Sequence, residues 1–299
     1  MKKLLSPVLF LSISFAQNAL FGLESWYSVS TVASAGGIGA ITNSYSANVN
    51  PAGAAKQTEQ IQLDLVKYPA SINAKSIIFI KPIKTAKISF GLKHMGYGSF
   101  NASDENGNKT GTYSAGDTRF NTTLAQSRKN FDWGISGGVF ISNLDSYNSY
   151  ALVFSSGLIY SFTKFNIETG IYISNFGLIL SRYTNYSESS LPTKIAIGFN
   201  KGLAHLPLDI NFDAGYYFDD YQYLLRAGGV FSISKDFKLT IGINSNNINQ
   251  RTEYSSLKST WGSSGVGLTY SYKQYSIGLA GYSYGPGGWI YGSSLNIKL

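Results

Sequence analysis

From Phe131 to Ile141 the odd positions carry Phe131, Trp133, Ile135, Val139 and Ile141, and mainly Asp132, Gly134, Ser136 and Gly138 stand between them. A period of two describes a strand with two unlike faces. Leu208 to Tyr216, Phe237 to Ile243 and Gln274 to Leu279 repeat it. Carried along the chain, the alternation predicts fourteen strands, at 58–66, 72–81, 86–97, 112–126, 131–142, 147–161, 165–177, 192–200, 206–217, 221–233, 236–245, 262–272, 274–283 and 288–298.

Period alone fits a soluble sandwich as well as a membrane barrel. Three features separate them. The polar face carries Gly and small hydroxyls as well as charge, while the apolar face places Tyr, Trp and Phe near strand ends, like the aromatic girdles of outer-membrane barrels; the strand number is also even. The links are sorted by parity: 98–111, 178–191 and 246–261 are long and follow strands three, seven and eleven, whereas Pro82–Thr85, Ser127–Asn130, Ser234–Lys235 and Tyr272–Lys273 are short. Short periplasmic turns and longer outer loops are the expected asymmetry. Finally, Gly292–Leu299 alternates up to a terminal apolar residue, as the last strand of such barrels does, although Leu299 stands where an aromatic is usual. The expected fold is all-β, a transmembrane antiparallel β-barrel of about fourteen strands.

Composition supports strands and turns, with 32 Gly, 22 Tyr and 18 Phe against 7 Pro and no Cys. The mean hydropathy of −0.04 averages the two faces and conceals them. Lys2 and Lys3, the apolar run Leu4–Phe15 and the small-x-small Ser14-Phe15-Ala16 read as a signal peptide over residues 1–16. Residues 17–57 then form an N-terminal segment, and 58–299 the barrel. The formal charge of +8 falls by two with the signal peptide, and no basic patch with interleaved aromatics suits nucleic acid.

The N-terminal segment is dominated by small residues, including Ala33–Ala40, and contains a helical signal: Asn50 is a good N-cap, Pro51 a good first helical position, and Ala52-Gly53-Ala54-Ala55 follow. So small a segment fits inside a fourteen-strand lumen, or lies against the periplasmic rim; both readings stand at this point.

Asn50-Pro51-Ala52-Gly53 after a Gly-rich stretch resembles the N-terminal signature of FadL-like outer-membrane proteins. The run Tyr97-Gly98-Ser99-Phe100, Asp104-Glu105 and Gly107-Asn108, continuing through Thr110-Gly111 and Tyr113-Ser114-Ala115 to Asp117, is similar to the third outer loop and fourth strand of the PorV/PorQ family, and Leu191-Pro192 with Gly198-Phe199 through Pro207 to another of its blocks. The resemblance covers residues 33–218. It implies a FadL-like barrel serving as a non-catalytic platform in type IX secretion, delivering or attaching cargo beside a sortase-like surface peptidase. The open alternative is a porin or FadL-like channel for small solutes.

Catalytic chemistry finds little support. Gly134-Ile135-Ser136-Gly137-Gly138 matches G-x-S-x-G but lies in mid-strand, where a nucleophile elbow cannot form. Only His94 and His205 could act as base, with His94 the better placed. Asp104, Asn106 and Asn108 begin like a calcium loop, yet Gly107 and Ala115 break the pattern. No metal or cofactor is called for. Inward parity collects Asp64, Asp132, Glu168, Asp209, Asp213, Arg226 and Lys238 with Asn166 and Asn211, a mixed-charge wall unlike the continuous apolar path a fatty acid needs; Trp133, Ile135, Val139, Ile210 and Phe212 should face lipid. Lys81, Lys84, Arg128, Lys129, Lys164, Lys201, Lys235 and Lys273 fall in or beside the short turns. Such a ring suits outer-membrane lipid headgroups, or docks an acidic secretion component.

Overall fold

The computed structural model describes residues 20–37, 49–185, 190–219, 221–245, 262–284 and 287–299. The expected signal peptide, the expected long link 246–261 and the end of the small-residue run, 38–40, lie outside them. The described residues form fourteen strands: β1 (Gln60–Lys67), β2 (Asn73–Ile83), β3 (Ala86–Ser103), β4 (Lys109–Arg128), β5 (Phe131–Leu144), β6 (Tyr147–Phe162), β7 (Ile167–Ser181), β8 (Lys194–Gly202), β9 (Leu208–Tyr217), β10 (Gln222–Ser232), β11 (Phe237–Asn244), β12 (Ser264–Tyr272), β13 (Tyr275–Ser283) and β14 (Trp289–Lys298). Each pairs antiparallel with its neighbours in the chain, and β1 pairs with β14 from Gln60↔Lys298 to Lys67↔Tyr291, so the sheet closes into a barrel without an edge. Among the described residues no helix is long and apolar enough to cross a membrane. The strands present that surface instead. Leu63, Ile77, Leu92, Phe120, Ile135 and Phe212 point outward and are exposed, while their neighbours in sequence turn to the lumen.

The largest departure from the expected boundaries is at the β3–β4 link. Residues 98–111 are not an irregular loop: β3 runs 18 residues and β4 runs 20, leaving a turn of only 104–108. The ladder continues past a bulge at Gly96/Gly98, and the cross-strand pair Phe100↔Tyr113 stacks its rings 5.3 Å apart, which supports the extension. On the opposite rim the turns are tight, and Lys84, Lys129 and Lys273 take left-handed backbone with φ of 52°, 56° and 51°.

The described parts of the N-terminal segment lie inside the barrel. Helix α1 (Val29–Ala33) packs against β11–β14 and β1, and the turn Pro51–Ala54 against β3–β6. The second turn is 3-10 rather than α, with Asn50 Oδ1 accepting from the Ala52 amide at 3.0 Å and Gly53 N–H donating to the Asn50 carbonyl at 2.9 Å. Helix α1, which the alternation did not reveal, begins at Ser28, whose hydroxyl accepts from the Thr31 amide at 3.3 Å. Glycine on the wall makes this approach possible. A Cβ on Gly134 would collide with the Pro51 backbone, one on Gly157 with Asn50, and one on Gly265 with the Val32 carbonyl.

Where the segment leans, the inward face turns apolar. Phe140, Ala151 and Val153 pack on Leu20 and Leu23, and Val66, Met95, Tyr282 and Ile290 pack with Tyr27 and Val32. These inward apolar residues break the strict alternation, and each break marks a contact with the segment.

Candidate functional site in the lumen

Side chains of the wall hold the segment through its backbone and its few charges. Asp117 Oδ2 accepts from the Gly22 amide at 2.9 Å and from the Tyr97 hydroxyl at 2.6 Å, and Asp117 accepts from the Ser142 hydroxyl as well. Asp64 accepts from the Val29 amide at 3.0 Å, Gln62 Nε2 at 2.8 Å and the Ser76 hydroxyl at 3.3 Å. Both carboxylates are buried and satisfied, as buried charge requires. Lys56 reaches from the segment to Asp132 at 3.2 Å and Glu168 at 3.8 Å.

Glu24 forms the tightest charged contact. Its Oε2 receives Lys194 Nζ at 2.7 Å and the Tyr217 hydroxyl at 2.8 Å, and its Oε1 receives Asn175 Nδ2 at 2.5 Å. Asn175 is also the acceptor for Arg119 Nη1 at 3.1 Å.

Between the segment and strands β3–β8 remains a polar chamber of about 100 Å³. Its charged lining consists of Glu24, Lys93, Arg119 and Lys194, and hydroxyls or amides of Asn121, Thr123, Ser136, Ser155, Ser174 and Asn175 complete the wall. Lys93 and Arg119 are register partners on β3 and β4, both directed inward. Cross-strand partners have Cβ atoms roughly 5 Å apart, and like charges so placed destabilise the pairing. Among the described residues neither forms an ion pair; Lys93 Nζ lies 5.7 Å from the centre of the Tyr27 ring, and Arg119 Nε has no hydrogen-bond partner. Toward the rim that carries the long β3–β4 hairpin a second, aromatic vestibule of about 340 Å³ is lined by Phe21, Tyr97, Phe100, Tyr113 and Tyr183.

The expected site residues distribute as follows. Asn50, Pro51, Ala52 and Gly53 are buried in the lumen, where Asn50 Nδ2 also donates to the Leu158 and Ile171 carbonyls of β6 and β7 at 3.4 and 3.5 Å. Lys84, Lys129, Lys164, Lys235 and Lys273 occupy turns at one rim. Arg128 ends β4 and Lys201 lies within β8 rather than in a turn, donating to the Phe165 carbonyl at 3.1 Å. Lys164 and Lys273 sit 5.8 and 5.3 Å from the centres of the Phe165 and Tyr272 rings. Asp64, Asp132, Asp213, Arg226 and Asn211 are buried on the inner face, whereas Lys238 is exposed. His94 and Ser136 lie on opposite faces of the wall: Ser136 is buried in the lumen and His94 is exposed outside, against the Thr118 hydroxyl at 2.9 Å. Asp104 caps its own turn, accepting from the Asn106 and Asn108 amides at 3.0 and 2.8 Å, and these bonds, with that from the Asn108 side chain foremost, hold its carboxyl below the usual range. Among the described residues no group of three or more His, Cys, Asp or Glu could hold a metal ion.

Glu24, Lys93, Arg119, Lys194 and Asn175 went unselected by sequence reasoning. Lys93 lies within Leu92-Lys93-His94-Met95, where two polar residues in a row interrupt the alternation, but inward Ser89 and Gly91 carry the parity to it, as Asn121 and Thr123 do to Arg119.

No family model matches the chain, and no curated protein matches it. Among solved structures, the toluene transporter TodX of Pseudomonas putida is similar with a TM-score of 0.59 and 13% identity, over 93% of this chain and 97% of that one. A FadL homologue of Pseudomonas aeruginosa is similar with a TM-score of 0.56 and 11% identity, over 93% and 99%. At such identity the likeness shows the fold alone. The fold is a closed, FadL-like fourteen-strand antiparallel β-barrel.

Proposed function

We propose that this chain is an outer-membrane channel for small polar solutes, closed by its own N-terminal segment. The observation that carries this reading is the polar chamber inside the barrel, bounded on one side by a segment that is held through side chains and packing and adds no strand to the sheet. Such contacts can be released without breaking the sheet. Full-length similarity to a toluene transporter supports transport, but a hydrocarbon would have to cross a lumen wall of Ser, Asn and charged groups, which favours a polar cargo here.

The secretion platform has its support in the sequence resemblance to PorV/PorQ proteins alone, with a type IX component or sortase-like peptidase as its partner. Flux of small polar solutes into vesicles carrying the purified full chain tests the channel. Solute entry above that of empty vesicles is the expected result. Absence of entry, together with recovery of a secretion component from outer membranes of the native host in mild detergent, would replace the channel with the platform.

A further inference from the structure

The pairing of Lys93 with Arg119 is the feature of the lumen least explained by folding. Two cations face one another across β3 and β4 inside a small chamber, where like charge opposes the strand pairing. The nearby carboxylates are already engaged. Glu24 is held by Lys194, Tyr217 and Asn175, and Asp64 by the Val29 amide, Gln62 and Ser76. Tyr27 offers Lys93 only a ring face, and Arg119 retains an unsatisfied Nε after its bond to Asn175. The chamber's four ionisable lining residues are three basic and one acidic.

We infer that Lys93 and Arg119 form a binding site for a small oxyanion, a carboxylate or phosphate group, inside the lumen. A guanidinium presents a planar fork to two oxygens, and an ammonium adds a point charge beside it, so the pair suits an oxyanion better than a spherical halide. The hydroxyls of Thr123, Ser136, Ser155 and Ser174 can donate to the remaining oxygens. About 100 Å³ admits one such group with water but no long chain. This deepens the channel reading and rests on it only for the anion's role as cargo.

Calorimetric titration of the purified full chain with inorganic phosphate, and separately with acetate, at constant ionic strength in chloride, tests the site. Saturable binding of either is expected, and the tighter of the two identifies the oxyanion class. Lys93→Gln and Arg119→Gln should each weaken binding at least tenfold, while Lys93→Arg and a change of the outer-hairpin residue Lys109→Gln leave it within about threefold. Thermal unfolding supplies a readout that does not require titration of the variants. In chloride alone Lys93→Gln should unfold at a higher temperature than the wild type, because repulsion is relieved, and phosphate should raise the wild-type midpoint but not that of the variant. If neither anion binds saturably, or both Gln variants bind as the wild type does, the site does not exist. Saturable binding without solute flux would remove the channel and leave the site; flux without saturable binding would do the reverse.

Discussion

The chamber contains two cationic stations that differ in how their charge is met. At one, Lys194 has a carboxylate from the N-terminal segment at 2.7 Å, and a phenol and an amide complete that carboxylate's shell. At the other, Lys93 and Arg119 stand side by side with no acidic partner among the described residues. Asn175 joins the two, donating to Glu24 and accepting from Arg119. The closed station fastens the segment to the wall. The open one touches the segment through the Tyr27 ring face and, by way of Asn175, through Glu24. One polar lumen thus holds both a cation paired with the segment and a pair of cations with no acidic partner among the described residues.

Removing the segment should have the largest effect. Deletion of residues 23–55 leaves every strand, so the barrel still folds, while the closed station loses Glu24; conductance in a planar bilayer should rise more than with any single substitution. Unchanged conductance would mean that the segment is not what closes the lumen. Lys194→Ala comes next, because it leaves Glu24 enclosed without its cation. Breaking a buried pair costs about 3–5 kcal/mol, and the chamber's partial hydration should bring this to roughly 2–3 kcal/mol, read as lower stability in denaturant and more frequent channel openings. Gly134→Val forces the Pro51 turn off the wall at a cost of about 1–3 kcal/mol without touching either station. Openings should increase, yet phosphate binding should persist, and loss of both would show the stations to be mechanically linked. Asn50→Ala removes the cap and its wall contacts for about 1 kcal/mol, the smallest of these changes, detectable as a shift in the unfolding midpoint.

The barrel was legible because two media act on alternate residues. Ile135 and Phe212 outward, Asp132 and Asp213 inward, follow directly from period two, and the count of alternating segments matches the fourteen strands. The length of β3 and β4 was not, since Asn, Ser and Gly beyond Tyr97 read as loop while the Phe100–Tyr113 pair sustains the ladder. The position of the segment stayed open for a physical reason: small residues suit a confined lumen and an exposed lead-in equally. Phe140, Met95 and Ile290, apolar at inward positions, were the available sign that something apolar lies inside. The two stations depend on register and on contacts between distant parts of the chain. Glu24 meets Tyr217 across 193 residues, and no local pattern announces such a meeting.

That same distance bears on how the molecule is assembled. The seam joins the first strand to the last, with Asn296 Nδ2 donating to Gln60 Oε1 across 236 residues at 3.1 Å, so ring closure is among the least local events in the chain and therefore among the slowest. The segment precedes β1 in the chain, yet its partners on β8 and β9 come more than a hundred residues later. A segment already in place is wrapped as the hoop tightens; one left outside must thread past a finished rim. Docking of the segment and closure of the ring are therefore kinetically coupled, and the order of these two events decides whether a newly made barrel starts its life corked or open.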